Sequence, residues 1–309
     1  MTQEKTSGGS ASTVSHVLPE GGKVSYRSEL PVSVATIMWL TSVITAHRVR
    51  IGSRWRKVSP WQQAVLVLAM LRKDERLTDL AGPNDISPST MRRYLLEVIG
   101  VLATRAPRLN RALRRLTGQG AVVVLVDGTL IRTRRRTGKQ NRSNYSGKHK
   151  HHGLLTLGLT DETGQLIWVS AVLPGKTADI TAARFLRIRD RLHQAGLTPA
   201  GDKGFHGWHK DVRDTRDCPH CDGKACEQVV LTPFKAQRNK PLTDAQKQAN
   251  AAFSAMRCAV EGAFATLKTW RILNKLRLHP RHTTTLLRAL HVLTQHEQAN
   301  REAATPHPA

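Results

Sequence analysis

Ala121-Val122-Val123-Val124-Leu125-Val126-Asp127, followed at once by Gly128-Thr129, is the stretch on which the fold turns. Six apolar residues, four of them Val, end in a carboxylate and a turn-forming Gly. An unbroken β-branched run of this length predicts a strand buried on both faces, in the middle of a sheet. The same reading puts Asp127 at the C-terminal end of the strand, held on a rigid element and pointing out of the core. A lone Asp in such a place can simply cap a turn. The rest of the chain supplies two more acids and a large excess of positive charge.

The 309 residues carry 48 Lys+Arg against 23 Asp+Glu, a net charge of +25. Such an excess costs self-repulsion in the compact state and points to a polyanionic partner, double-stranded DNA, in preference to a membrane surface. No apolar run approaches the length of a membrane span, and MTQEKTSGGSAST lacks the hydrophobic region of a signal peptide. Four Cys in this length make no disulfide framework. A reducing, intracellular (cytoplasmic) setting is the expectation.

Outward from the strand, the chain divides into four expected regions. Residues 1–30 are Ser/Gly/Thr-rich and read as a flexible arm. Residues 31–118 are helical in pattern, opening with a series at Val34, Ile37, Met38 and Thr41. Ser59-Pro60 starts the helix WQQAVLVLAMLRK. A short helix around Leu77, Leu80 and Ala81, a break at Gly82-Pro83-Asn84 and a helix opening at Ser87-Pro88 have the outline of a helix-turn-helix. Thr90, Arg92 and Arg93 would then occupy the leading turn that contacts DNA; the alternative is a plain helical bundle with solvated arginines. Residues 119–300 are expected to form an α/β catalytic domain, and 301–309 a flexible tail.

Within the catalytic region, Ile131–Lys150 is rich in Lys and Arg and holds no acid. Arg134, Arg135 and Arg136 in it are candidates for tracking DNA phosphates. Tyr145 could stack on a base, and His149, His151 and His152 would face phosphate or solvent. His152–Leu159 and Gln165–Leu173 read as hairpin strands about a turn at Asp161–Gly164. A helix is expected over Ala178–Ala195, a short strand before Asp202, and helices from Thr243 to Trp270 and Thr283 to Asn300.

This order lets the strand before Asp127 and the strand before Asp202 lie side by side, with a helix bringing Glu261 to the same edge. Like charges about 4 Å apart cost ~4 kcal/mol at an effective dielectric of about 20, so such a cluster calls for a proton or a divalent cation. All-oxygen ligation suits Mg²⁺ or Mn²⁺, and two ions can drive a phosphodiester displacement.

Val126-Asp127-Gly128-Thr129, Gly201-Asp202-Lys203-Gly204-Phe205, and Arg257-x3-Glu261-x6-Lys268 resemble the DDE transposases of bacterial insertion sequences. The similarity is to the insertion-sequence-five group, related to Harbinger-type elements, and FATLKTWRILNKLR adds to it. The resemblance implies an RNase H-like mixed-sheet domain behind a helix-turn-helix. It also implies Mg²⁺-dependent cleavage at terminal inverted repeats, strand transfer into target DNA, and a homo-oligomeric active complex. Matched by position, Asp127, Asp202 and Glu261 would be the catalytic, metal-binding triad, while Arg257 and Lys268 would hold DNA phosphates. Asp179, in Pro174-Gly-Lys-Thr-Ala-Asp179, is the rival for second place; at a helix start it is also what capping and the helix dipole favour.

Two departures stand out. Ser254, beside Phe253, occupies the position of a Tyr in the related signature. Asp211–Glu227 looks like an insertion, whose Cys218, Cys221 and Cys226, with His206, His209 or His220, could hold a structural Zn²⁺ or be surface thiols. Besides a transposase, two readings remain: a helix-turn-helix DNA-binding protein derived from one but lacking catalysis, and a nuclease that breaks DNA without joining it.

Overall fold

The computed structural model describes residues 13–14, 28–54, 56–135, 139–208, 229–236, 238 and 241–304. The chain folds as two compact units. One comprises residues 1–104, 270–272 and 292–309; the other comprises 105–269 and 273–291. Of the expected arm, only Thr13–Val14 (β1) and Ser28–Glu29 (β2), paired antiparallel, and Leu30 are described.

The first unit is helical: α1 (Val34–Arg50), α2 (Pro60–Lys73), α3 (Leu77–Ala81) and α4 (Pro88–Ala103). Ser33, Ser59 and Ser87 each cap the helix that follows by accepting from a backbone N–H. At Ser59 the capping box is complete, the cap's own N–H donating in return to the Gln62 side chain. The buried face of α1 is Thr36, Ile37, Leu40, Val43 and Ile44, whereas Val34 and Met38 face solvent. Of the expected series at 34, 37, 38 and 41, Ile37 is buried and Thr41 half-buried, whereas Val34 and Met38 lie outside the stripe that the helix turns inward.

Between α3 and α4, Gly82–Asn84 forms a single 3₁₀ turn ending at Asp85 in the left-handed region, after which buried Ile86 leads into the Ser87 cap. Glu97 on α4 accepts both arms of Arg56 at 2.8 and 2.9 Å and the Gln63 amide at 3.1 Å.

The second unit is built on a mixed sheet. Its central strand β3 (Val123–Arg132) pairs antiparallel with β5 (His151–Thr160) and parallel with β8 (Thr198–Gly201). Two-residue β4 (Tyr145–Ser146) pairs with the start of β5. The segment expected as one hairpin strand is split. β6 (Leu166–Val169) pairs with the end of β5 and β7 (Leu173–Pro174) with its middle, while the Ser170 hydroxyl takes a ladder position and accepts from Leu157 N at 2.9 Å. β5 is buried along nearly its whole length, which is why its sequence shows no alternation.

One face of the sheet is covered by α5 (Leu109–Gly118), α6 (Asp179–Phe185) and α7 (Ile188–Gln194). Leu113 and Leu116 of α5, Val124 and Val126 of β3, Leu157 and Leu159 of β5, and Ala183 and Leu192 share this core. α5 therefore belongs with the sheet, although the sequence boundary was expected at 118/119. The helix expected over 178–195 is two helices, because Arg187 turns left-handed (φ 52°) between them; the break lets both Ala182–Ala183 and Ile188–Leu192 reach the core. α8 (Asp244–Lys268) begins with a second capping box, Thr243 and Gln246. α9 (Thr283–Ala304) continues past residue 300 into the expected tail; its Thr283–His291 part belongs to the sheet unit and the remainder to the helical one.

Candidate active site

Strand β3 does not stop at Asp127, as the Gly-Thr after it had suggested. It runs five residues further, because β5 goes on pairing with it as far as Arg132. What stops near Asp127 is the parallel neighbour: the β3–β8 ladder runs from Val123↔Thr198 to Val126↔Gly201. Asp127 and Asp202 are thus the residues immediately after the last paired position on two adjacent strands. Neighbouring strands lie about 4.8 Å apart, so the topology brings the backbones of these acids together at one point of the sheet.

Their surroundings differ. Asp127 is half-buried, and its Oδ1 accepts from the Gly128 N–H at 2.8 Å. Burial pushes its carboxyl up from 3.8 to about 6; Asp202 and Asp179 add to this, while the Gly128 N–H and Arg257 oppose it. Asp202 caps the 3₁₀ turn Lys203–Phe205, its Oδ1 accepting from Gly204 N at 2.8 Å.

α8 carries the third expected acid. Arg257, Glu261, Phe264 and Lys268 are spaced to share one helix face. The buried Phe264 ring sits over Gly158 of β5, its Cζ 2.6 Å from where a Cβ would be. Gly158 is the residue paired with Asp127. Absence of a side chain at Gly158 thus lets α8 lie on the sheet beside Asp127. The backbone of Glu261 lies in α8 one turn before Phe264; its side chain is outside the described residues. Arg257 is close enough to act on Asp127 electrostatically. So is Lys268, which is exposed as a whole residue yet held below the ordinary lysine range by the protein around its ammonium; Asp127 opposes that shift and Arg132 adds to it.

Asp179, the rival acid, is the first residue of α6. Burial pushes its carboxyl up, with Asp202 adding and Lys148, at 3.7 Å, opposing. His149 is shifted down by burial and by Lys148, Lys268 and Arg132, against the pull of Asp179. Lys148, His149 and Arg132 thus join the acids in one electrostatic cluster. The sequence places Lys148 and Arg132 only in a general basic run and has His149 facing phosphate or solvent. Among the described residues no group of three His, Cys, Asp or Glu is arranged to hold a metal ion.

The other expected residues are placed as follows. Arg134 and Arg135 are exposed just after β3, and Arg136 lies outside the described residues. Tyr145 packs edge-on to His152. Ser254, at the position of the family Tyr, donates to Asn250 O at 2.8 Å. In the helical unit, Arg92 is exposed on the first turns of α4 and Arg93 donates to the Thr90 hydroxyl at 3.0 Å. Cys218, Cys221, Cys226, His209 and His220 lie outside the described residues, while His206 Nε2 is 2.9 Å from Pro233 O.

Residues 126–295 match the DDE superfamily endonuclease model, and the chain belongs to that family. It is also similar to the putative transposase for insertion sequence element IS112 of Streptomyces albus G: 25% identical over 229 residues, covering 72% of this chain and 76% of that protein. Among the described residues, no helix is long and apolar enough to cross a membrane.

Proposed function

We propose that this protein is a transposase of the insertion-sequence-five type, with an RNase H-like catalytic unit. It binds the terminal inverted repeats of its own element, cuts DNA there and joins the ends to a target. The observation that carries the reading is the side-by-side exit of Asp127 and Asp202 past the β3–β8 ladder, with α8 seated at Gly158 opposite Asp127.

The donor chemistry fits a divalent cation. Asp127 is held in partly buried surroundings next to other acids, a position that is unfavourable for a bare carboxylate near pH 7 and favourable for one facing a hard cation. Asp127, Asp202 and Glu261 would hold Mg²⁺ or Mn²⁺, two ions in the active complex. When bound, the ions would lower the barrier to phosphodiester displacement by activating the attacking oxygen and stabilising the leaving one. Arg257 and Lys268 neutralise the DNA phosphates flanking the scissile bond. Arg134, Arg135 and Arg136 track the backbone beyond it. Thr90, Arg92 and Arg93 place α4 of a helix-turn-helix on the repeat. The active complex is a homo-oligomer acting on nucleoid DNA.

The test is Mg²⁺-dependent cleavage and joining on a plasmid carrying the gene's own flanking DNA, with wild type run beside Glu261→Gln. Cut and joined products from wild type alone are expected. Nicks without joining would make the protein a nuclease. Sequence-specific binding without cleavage in either Mg²⁺ or Mn²⁺ would make it a DNA-binding protein.

A further inference from the structure

We infer that Leu173–Asp179 is a clamp that docks the basic segment 139–150 beside the candidate site, and that Asp179 is a positioning residue for that segment. Both ends of the clamp are anchored. Leu173–Pro174 pairs with Leu155 and Leu154 of β5, and α6, which begins at Asp179, buries Ala182 and Ala183 in the core. Between these anchors a turn closes with Thr177 N donating to Pro174 O at 2.9 Å.

The stretch meets the basic segment at three points. Lys176 N donates to Ser143 O at 3.1 Å. A Cβ at Gly175 would stand 2.6 Å from Asn144 O and 2.5 Å from Gly153 O, so only Gly permits this approach. Asp179 pairs with Lys148 at 3.7 Å, and the segment has no acid of its own to play that part.

Asp179 is seated in turn on β3. The space that a Cβ on Gly128 would take is occupied by the Asp179 carboxylate, whose carbon would lie 2.7 Å away. Gly128 and Asp127 are successive residues of one continuous strand, so they present opposite faces of the sheet. The carboxylate over Gly128 is therefore on the face away from the one Asp127 presents. Asp179 stays within electrostatic reach of Asp127 and Asp202, and its pairing with Lys148 gives it a task of its own, which is to hold Lys148 and its neighbour His149 where DNA phosphates reach Asp127. Gly128 explains itself the same way: it is small to admit Asp179, and the strand continues through it.

The inference rests on the proposed active site only where activity is the readout, so two readouts are needed on the full-length protein. In hydrogen exchange, Asp179→Asn and Gly128→Ala are each expected to speed exchange in peptides covering 139–150 by about tenfold, leaving the β3 and β5 core peptides unchanged. In plasmid cleavage at saturating DNA, Asp179→Asn and Lys148→Met are each expected to slow the rate about tenfold or more while shifting DNA affinity less than about threefold. The double variant should be no slower than the slower single one.

Unchanged exchange in 139–150 overturns the clamp. Faster exchange with a wild-type cleavage rate overturns the positioning role. Multiplying effects in the double variant mean that Asp179 acts without Lys148, as a cation ligand would, and also overturn it. Absence of cleavage by wild type would instead strike the proposed function, with the exchange result still deciding the clamp.

Discussion

Glu97 in the helical unit and Asp127 in the sheet unit are both carboxylates drawn well into the protein, and they are shifted in opposite directions. Burial opposes the charge on Glu97, yet bonds from Arg56 and Gln63, with His47 nearby, hold its carboxyl below the ordinary range. Asp127 has one backbone N–H and Arg257 on its side, against burial and two neighbouring acids, and rises to about 6. The helical unit sets charges against one another: Arg56 with Glu97, Lys57 with Asp85. The sheet unit collects acids at one point and cations around them. A satisfied carboxylate holds a fold together; one left in need of a positive partner is prepared for a ligand.

The largest expected effect is on chemistry. Asp127→Asn should reduce Mg²⁺-dependent plasmid cleavage by about 10³-fold or more, equivalent to about 4 kcal/mol of barrier, whereas Glu97→Gln should stay within a few-fold of wild type. Comparable losses in both variants would erase the distinction drawn between the two acids.

Stability should show the reverse order. Glu97→Ala leaves the half-buried Arg56 and the buried Gln63 without their shared acceptor and should cost about 2–3 kcal/mol in urea unfolding, a figure kept below the range for fully buried pairs.

The pH dependence sharpens the contrast. Asp127 binds its proton more tightly folded than unfolded, so in the absence of divalent cation its contribution to stability falls as pH rises from about 4 to about 6. Asp127→Asn should match wild type below that window and exceed it by about 3 kcal/mol above it, measured by unfolding in EDTA. Glu97 has the opposite sign: its stabilisation is present above the unfolded pKa near 4.5 and is lost as pH falls through the depressed folded value. Glu97→Gln should remove that acid-side loss.

The smallest effect per residue concerns the exposed cations. Replacing Arg134 and Arg135 by Gln should flatten the salt dependence of DNA binding by up to about 0.9 log unit for each phosphate no longer neutralised. Arg56→Gln, in a cation already committed to Glu97, should leave the slope unchanged. An unaltered slope in the first variant would reduce that segment to solvated charge.

Much of this was legible in local sequence. Ser59-Pro60 and Ser87-Pro88 start helices because a short hydroxyl side chain can cap and a proline needs no donor at the first helical position. Buried, β-branched AVVVLVD could only be a central strand, and a strand and a helix with acids at Asp202 and Glu261 could be expected to converge on it. Net charge alone pointed to a polyanion.

Where the elements end was decided by their neighbours. Asp127-Gly128-Thr129 has the composition of a turn, but pairing with β5 carries the strand on, and the apparent strand end is the place where β8 stops beside it. A continuous helix over 178–195 would be acceptable locally, yet the core takes Ala182–Ala183 and Ile188–Leu192 only if the chain breaks at Arg187. Gly128, Gly158 and Gly175 give no sign in sequence that each is small for the sake of a particular group, the Asp179 carboxylate, the Phe264 ring and the Asn144 carbonyl. Residue type and spacing set which elements form and which chemistry the chain carries, because propensity, capping and charge are local. Which acid is buried, and which side chain fits over which glycine, depends on excluded volume and desolvation, which exist only once distant segments have packed.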